Sequence, residues 1–273
     1  MKPLSDHVIL YDADCPLCKA YTGAFIKNQM LDSNGRMAYS HIPPHMQAGV
    51  DMDRARNEIA LVNTKTGSII YGMDSLFAII GHAAPMLRPL FRNRIFRWCI
   101  ARLYRLVSYN RKLIAAVKPV VAVGCTPDFN LKYRIAYLVL TVLFTGTVLN
   151  SYGKLLTDVL PVAGAWREYA VCAGQLAFQG IVLLFLRKEK LMDYLGNMMT
   201  VSMIGALLLL PVLLAHKLLP VIPSEFFTAW FLVVVGIMLL EHMRRTKLLE
   251  LGLLPGVTWV LYRLLVLTLI LAS

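Results

Sequence analysis

The chain has 273 residues, a formal net charge of +12, 58% hydrophobic residues and a mean hydropathy of +0.60. That hydropathy excludes a wholly soluble domain of this size and calls for a membrane portion. Five cysteines with a single close pair exclude a disulfide framework.

The apolar residues are unevenly spread. Residues 1–130 read as ordinary globular sequence, whereas 131–273 is a series of apolar runs broken by short polar loops. The start, MKPLSDH, lacks the basic n-region and apolar core of a secretory signal, so the first domain is expected to stay on the side where it is made. We divide the chain into a domain at 1–85, a basic helix and linker at 86–130, and a helical membrane domain at 131–273.

The stretch from His7 to Phe25 carries the chemistry. Val8, Ile9, Leu10 and Tyr11 have strand composition, a turn follows with Asp12 and Asp14, and then Cys15-Pro16-Leu17-Cys18 opens a segment with Tyr21, Phe25 and Ile26 at helical spacing. A Cys-x-x-Cys between strand and helix puts the first sulfur where backbone N–H groups and the helix dipole favour a thiolate. Cys15 is the expected nucleophile and Cys18 the resolving thiol. Asp12 and Asp14 either relay a proton to the partner sulfur or only close the turn. Metal binding and an inert pair remain open alternatives. His41 and His45, spaced H-x-x-x-H, supply the nitrogens of a zinc reading, but Pro43-Pro44 lies between them and breaks a shared helix. We expect no metal and no cofactor.

Downstream, Asp32-Ser33-Asn34-Gly35 breaks the chain, Met37 to Ile42 is strand-like, and residues 45–57 are loop or short helix. Glu58 to Asn63 and Ser68 to Tyr71 flank Thr64-Lys65-Thr66-Gly67, a hairpin signal. Gly72 to Gly81 is helical, with Asp74 or Ser75 as its cap. The order strand, CxxC, helix, strand, hairpin, helix predicts a thioredoxin-like α/β domain.

Asp12-Ala13-Asp14-Cys15-Pro16-Leu17-Cys18 resembles the DGDCxxC signature of the DCC family of predicted thiol-disulfide oxidoreductases. Tyr71-Gly72-Met73-Asp74-Ser75-Leu76 is similar to the glycine-led start of that family's last domain helix. The segment from Tyr104 to Asn110-Arg111 is similar to its closing segment. The resemblance spans roughly residues 7–115 and implies a thioredoxin-like fold and dithiol–disulfide exchange. Two departures stand out: Ala13 replaces a glycine, and Arg56-Asn57 precede the third strand where thioredoxins carry a cis-proline.

No acidic residue lies between Asp74 and Asp128, while Arg88, Arg92, Arg94, Arg97, Arg102, Arg105, Arg111, Lys112 and Lys118 all do. Phe96, Cys99, Ile100, Leu103, Leu106 and Val107 recur at helical spacing, with Arg94, Arg97, Arg105 and Lys112 on another face. Two readings stand together. Residues 86–118 lie on anionic lipid headgroups, at about 1 kcal/mol per basic side chain, or the apolar stripe packs on the sheet. Cys99 is expected to pack as a small hydrophobe, and nucleic-acid binding is not expected beside a membrane entry. Cys125 lies just before the first span, within reach of the CxxC.

Candidate spans are 133–151, 168–186, 195–215, 225–241 and 256–272, each near the ~20 residues a bilayer core requires. Five spans put the basic helix and the loops Arg187-Lys188-Glu189-Lys190 and Met243-Arg244-Arg245-Thr246-Lys247 on one side. The positive-inside rule makes that side cytoplasmic, in an inner membrane. Within the spans, Gln175 and Gln179 share a helix face as interhelical glue, and Asn197, Thr200 and Ser202 begin the third span. Arg263 has no in-span acid, Glu168 and Glu241 at span ends being its possible partners. No Gly-rich phosphate loop, nucleophile-elbow serine or metalloprotease helix motif is present.

The expectation is a membrane-anchored thiol–disulfide oxidoreductase with an unidentified protein thiol or disulfide partner. Its alternatives are a non-enzymatic docking subunit and a small transporter with a regulatory domain.

Overall fold

The computed structural model describes residues 3–118, 127–162, 164–218 and 223–272. Cys125 lies outside the described residues. The chain divides into two compact units, Met1–Arg134 and Ile135–Ser273.

The first unit contains strands β1 (His7–Tyr11), β2 (Arg36–Ala38), β3 (Ala60–Asn63) and β4 (Ile69–Tyr71). Its helices are α1 (Pro16–Lys27), α2 (Pro44–Gln47), α3 (Met52–Asn57), α4 (Met73–Ala83), α5 (Arg88–Arg92) and α6 (Arg94–Ile114). Sheet order is β2-β1-β3-β4, with β1 parallel to β2 and antiparallel to β3, and β3 antiparallel to β4. The parallel pair requires a crossover, which α1 supplies; the antiparallel pair β3–β4 is the expected hairpin. Together they form a thioredoxin-like mixed sheet with helices.

β1 is apolar along its whole length because both of its faces are covered. Val8 and Leu10 point to one side, with Val50, Ala55, Ala60 and Val62. Ile9 points to the other, with Phe25, Leu31, Ile59, Leu61 and Ile79, where α1 and α4 contribute. The strand therefore holds its C-terminal end, and the turn that follows, in a fixed position.

Two local expectations are corrected. The N-cap of α4 is Gly72 at φ 66, with no side-chain cap, because the hydroxyl of Ser75 instead reaches back to the Ile70 carbonyl at 2.7 Å. A Cβ on Gly72 would stand 3.1 Å from Glu58 Oε2, so both the left-handed backbone and the close approach select glycine. The second correction concerns α6. Cys99 and Leu103 are exposed, whereas Ser108 and Arg111 are buried and Tyr104 bonds inward. The face that meets the sheet is thus polar at Tyr104, Ser108 and Arg111, at i, i+4 and i+7. The Tyr104 hydroxyl accepts from Ile59 N–H at 2.9 Å, the Ser108 hydroxyl donates to the Asn57 carbonyl, and Arg97 pairs with Asp74 at 2.8 Å. Long polar side chains can cover apolar surface with their stems while their heads find partners. The residues before β3, Arg56 and Asn57, belong to α3.

The second unit is helical: α7 (Leu131–Gly153, whose first turn belongs to the first unit), α8 (Arg167–Leu186), α9 (Leu191–Leu218), α10 (Ser224–Leu248) and α11 (Leu254–Ala272). Each of these helices is long and apolar enough to cross a membrane, the mark of an integral membrane protein. Leu140, Phe185, Leu240 and Leu261 face outward, as lipid contact requires, while Tyr152, Tyr194, Met198, Leu209 and Trp259 fill the centre. Polar side chains join the helices. Gln179 Oε1 accepts from Tyr194 at 3.0 Å and Thr258 at 3.2 Å, linking α8, α9 and α11; Tyr137 and Thr200 bond at 2.8 Å across α7 and α9. Gln179 is glue, as expected. Gln175 is not: its Nε2 is buried without a partner. Glu168 pairs with Arg167 at 2.8 Å and Glu241 with Arg244 and Arg245 at 2.7 Å, so neither expected partner serves Arg263. At Glu241 the local arginines win because residues three and four apart share a helix face.

Candidate functional site

The site lies where β1 ends and α1 begins. Asp12 Oδ1 accepts the Asp14 N–H at 2.9 Å and the Asp12 carbonyl accepts the Cys15 N–H at 3.2 Å, so the Asp12 side chain and backbone close the turn together. Ala13 does not take a positive φ, so the glycine of the DGDCxxC pattern is not needed there. Cys15 then occupies the N-cap of α1, and Pro16 the first helical position, where its missing N–H costs nothing. The Cys15 Sγ accepts the Cys18 N–H at 3.4 Å, the capping role a serine or aspartate oxygen plays elsewhere.

Both cysteines are buried and reduced, Cys15 at 3% exposed and Cys18 at 7%. Their acidities are pushed apart. The Cys15 thiol is lowered to about 6, first by the hydrogen bond from the Cys18 side chain, then by the Cys18 backbone N–H and the Arg111 charge; burial and Asp12 oppose this. Cys18 moves up, because it is the proton donor in that pair and because it is buried. These shifts favour a thiolate at Cys15 beside a protonated Cys18.

Arg111 reaches this site from α6. Its Nη2 lies 3.7 Å from Asp12 Oδ2, and both side chains are buried, at 8% and 3%. Tyr21 and Tyr104 line the same cavity as Cys18, and burial raises both phenols, Tyr104 to about 12, so they stay protonated. Asp12, Cys18, Tyr21, Tyr104 and Arg111 line one cavity of about 310 Å³ whose remaining wall is mostly apolar. Asp14 stays half-buried at the turn. His41 ends a short turn (Tyr39–His41) and His45 sits in α2, and among the described residues no three His, Cys, Asp or Glu side chains are grouped to hold a metal ion.

Of the four site residues expected from sequence, Cys15, Cys18 and Asp12 come together, with Asp14 bonded to Asp12 through its backbone. Arg111, Tyr21 and Tyr104 complete the site and were not assigned to it. The signal for α6 was the recurrence of Tyr104, Ser108 and Arg111 on one helical face, hidden among nine basic residues. No curated protein and no solved structure matches the chain. Residues 9–116 match the family model described as DCC1-like thiol-disulfide oxidoreductase, which takes in β1, the cysteine pair and all of α6. The match lies wholly within the N-terminal unit of this integral membrane protein.

Proposed function

We propose that the chain is a membrane-anchored thiol–disulfide oxidoreductase whose dithiol works on the cytoplasmic side of an inner membrane. The observation that carries the reading is the split acidity of the pair: a stabilised Cys15 thiolate at a helix N-terminus, next to a protonated Cys18.

In the exchange, the Cys15 thiolate attacks one sulfur of a partner disulfide. A Cys15–partner S–S bond forms, the partner's own S–S bond breaks, and its other sulfur leaves as a thiolate. Cys18 then loses its proton and attacks Cys15 Sγ, releasing the second partner thiolate. The partner has gained two electrons and the pair is a disulfide. A dithiol donor reverses the sequence. Asp12 is the group placed to take the Cys18 proton, since its Oδ2 is buried without a hydrogen bond in the cavity that Cys18 lines. Arg111 holds that carboxylate and favours the Cys15 thiolate; Asp14 shapes the turn.

Orientation rests on the charge pattern. With five spans, the basic α5–α6 region and the loops at 187–190 and 243–247 share one side. We extend the reading to lipid: Met86, Ile95, Trp98 and Leu103 are exposed beside Arg92, Arg94 and Arg102, the composition that anionic headgroups attract.

Thiol trapping of the full chain in native membranes against a graded redox buffer tests the function, with Cys99, Cys125 and Cys172 changed to Ser. The expected result is a reversible two-thiol transition at roughly −120 to −270 mV, lost in Cys15→Ser, and a mixed disulfide that accumulates in Cys18→Ser. A pair that never oxidises reversibly overturns it.

A further inference from the structure

The helical unit encloses a cavity of about 350 Å³ between α7, α8, α9, α10 and α11, well away from the dithiol in sequence and within the size range of small-molecule sites. Its wall is largely apolar, from Leu149 and Leu156 to Val234, Leu264 and Leu267. Three buried wall atoms have no hydrogen-bond partner among the described residues: Thr145 Oγ1, Gln175 Nε2 and Arg263 Nε. Thr145 and Gln175 are 3% and 4% exposed, so neither is satisfied by solvent. All three atoms can donate. The only carboxylate on the wall, Glu168, is already paired with Arg167.

Arg263 is the sharpest of these. It stands midway along a membrane-capable helix, its guanidinium 3.9 Å from the Trp259 ring centroid, and no carboxylate pairs with it among the described residues. A ring face offsets part of the desolvation of a cation but supplies no counter-charge. A largely apolar pocket whose unpartnered polar atoms can all donate, one of them on a guanidinium, is complementary to one kind of head: an oxyanion. The walls say what carries it. Leu232, Leu264 and Leu267 line the cavity and are also exposed on the outer surface of the helices, so its apolar side continues to where lipid lies.

We propose that this cavity binds an amphiphile with an oxyanion head and an apolar tail, the head held by Arg263, Gln175 and Thr145, the tail leaving past Leu232 and Leu264. A fatty-acid carboxylate and a phospholipid phosphate share this chemistry. The proposal is independent of the dithiol reading, since its readout is binding and not exchange.

The test uses the full chain, purified and delipidated in detergent, with tritiated palmitate as probe. Saturable binding is expected, weakened about tenfold or more in Arg263→Gln, as for loss of one partner of a buried charged pair, and less in Arg263→Lys. Gln175→Met is a second, milder variant that removes an unpartnered amide and should weaken binding without disturbing the fold. Hexadecanol, with the same tail and no charge, should not compete. Displacement by phosphatidylglycerol identifies the phosphate as the source of the head, and failure to displace identifies the free carboxylate; either supports the class. Absence of saturable binding, an affinity unchanged in both Arg263→Gln and Gln175→Met, or equal competition by hexadecanol or by decyl-ubiquinone overturns it.

Discussion

Two guanidinium groups of this protein, Arg111 and Arg263, are held in opposite ways. Arg111 in the N-terminal unit faces Asp12 at 3.7 Å and sits in the field of the Cys15 thiolate. Arg263 in the helical unit rests on a ring and has no carboxylate partner among the described residues. Burying a charge is costly in both places, but only at Arg111 does the chain itself return much of that cost. The two units differ in where that compensation comes from. The dithiol site is complete in its own electrostatics; the membrane cavity is left open to a group from outside.

Stability should separate the two arginines most. Arg111→Met leaves Asp12 as an uncompensated buried charge and should destabilise the N-terminal unit by roughly 3–5 kcal/mol. Arg263→Gln removes a charge that lacks a partner and should leave the delipidated protein as stable as the parent or more so. Thermal unfolding of the full chain in detergent measures both. Equal losses in the two variants would erase the distinction. In the same series Asp12→Asn combined with Arg111→Met should be less damaging than Arg111→Met alone, because the orphaned charge is gone.

Thiol acidity should respond next most strongly. Iodoacetamide alkylation of Cys15 should rise with a midpoint near pH 6, against 9.0 for an ordinary thiol, and the midpoint should move up in Arg111→Gln and down in Asp12→Asn. The sign for stability follows. A depressed Cys15 value stabilises the reduced fold; that contribution is fully present above pH 9.0 and is lost as pH falls through about 6. Cys18 acts in the opposite sense: its raised value costs the reduced fold stability once pH exceeds 9.0. A flat alkylation profile between pH 5 and 8 would remove the thiolate from the mechanism.

The smallest effect concerns the wall of the dithiol site. Tyr104→Phe removes the acceptor for Ile59 N–H and should cost about 1 kcal/mol, with the alkylation midpoint of Cys15 nearly unchanged. A large shift of that midpoint would make Tyr104 part of the electrostatics and not only of the packing.

Local signals in the chain were sufficient for much of this. The apolar run of β1, the turn residues Asp12 and Asp14, the cysteine pair at the start of α1 and the Thr64–Gly67 hairpin turn are read from neighbours in sequence, because backbone propensity and turn chemistry act over a few residues. Five apolar stretches determine five membrane-capable helices for the same reason: the length requirement belongs to each helix alone. What tertiary structure decided was which side chains meet across distance. The periodicity of α6 set an apolar stripe against a basic face and could not say that Tyr104, Ser108 and Arg111 turn inward; the Ile59 N–H, the Asn57 carbonyl and the Asp12 carboxylate selected them. Likewise Gln175 and Gln179 are alike in sequence, yet one joins three helices and the other opens onto a cavity. Glu168, Glu241 and Arg263 were equally available to one another until nearer arginines took both acids. Pairing is a matter of a few ångströms between elements far apart in the chain, and only the packed fold supplies those distances.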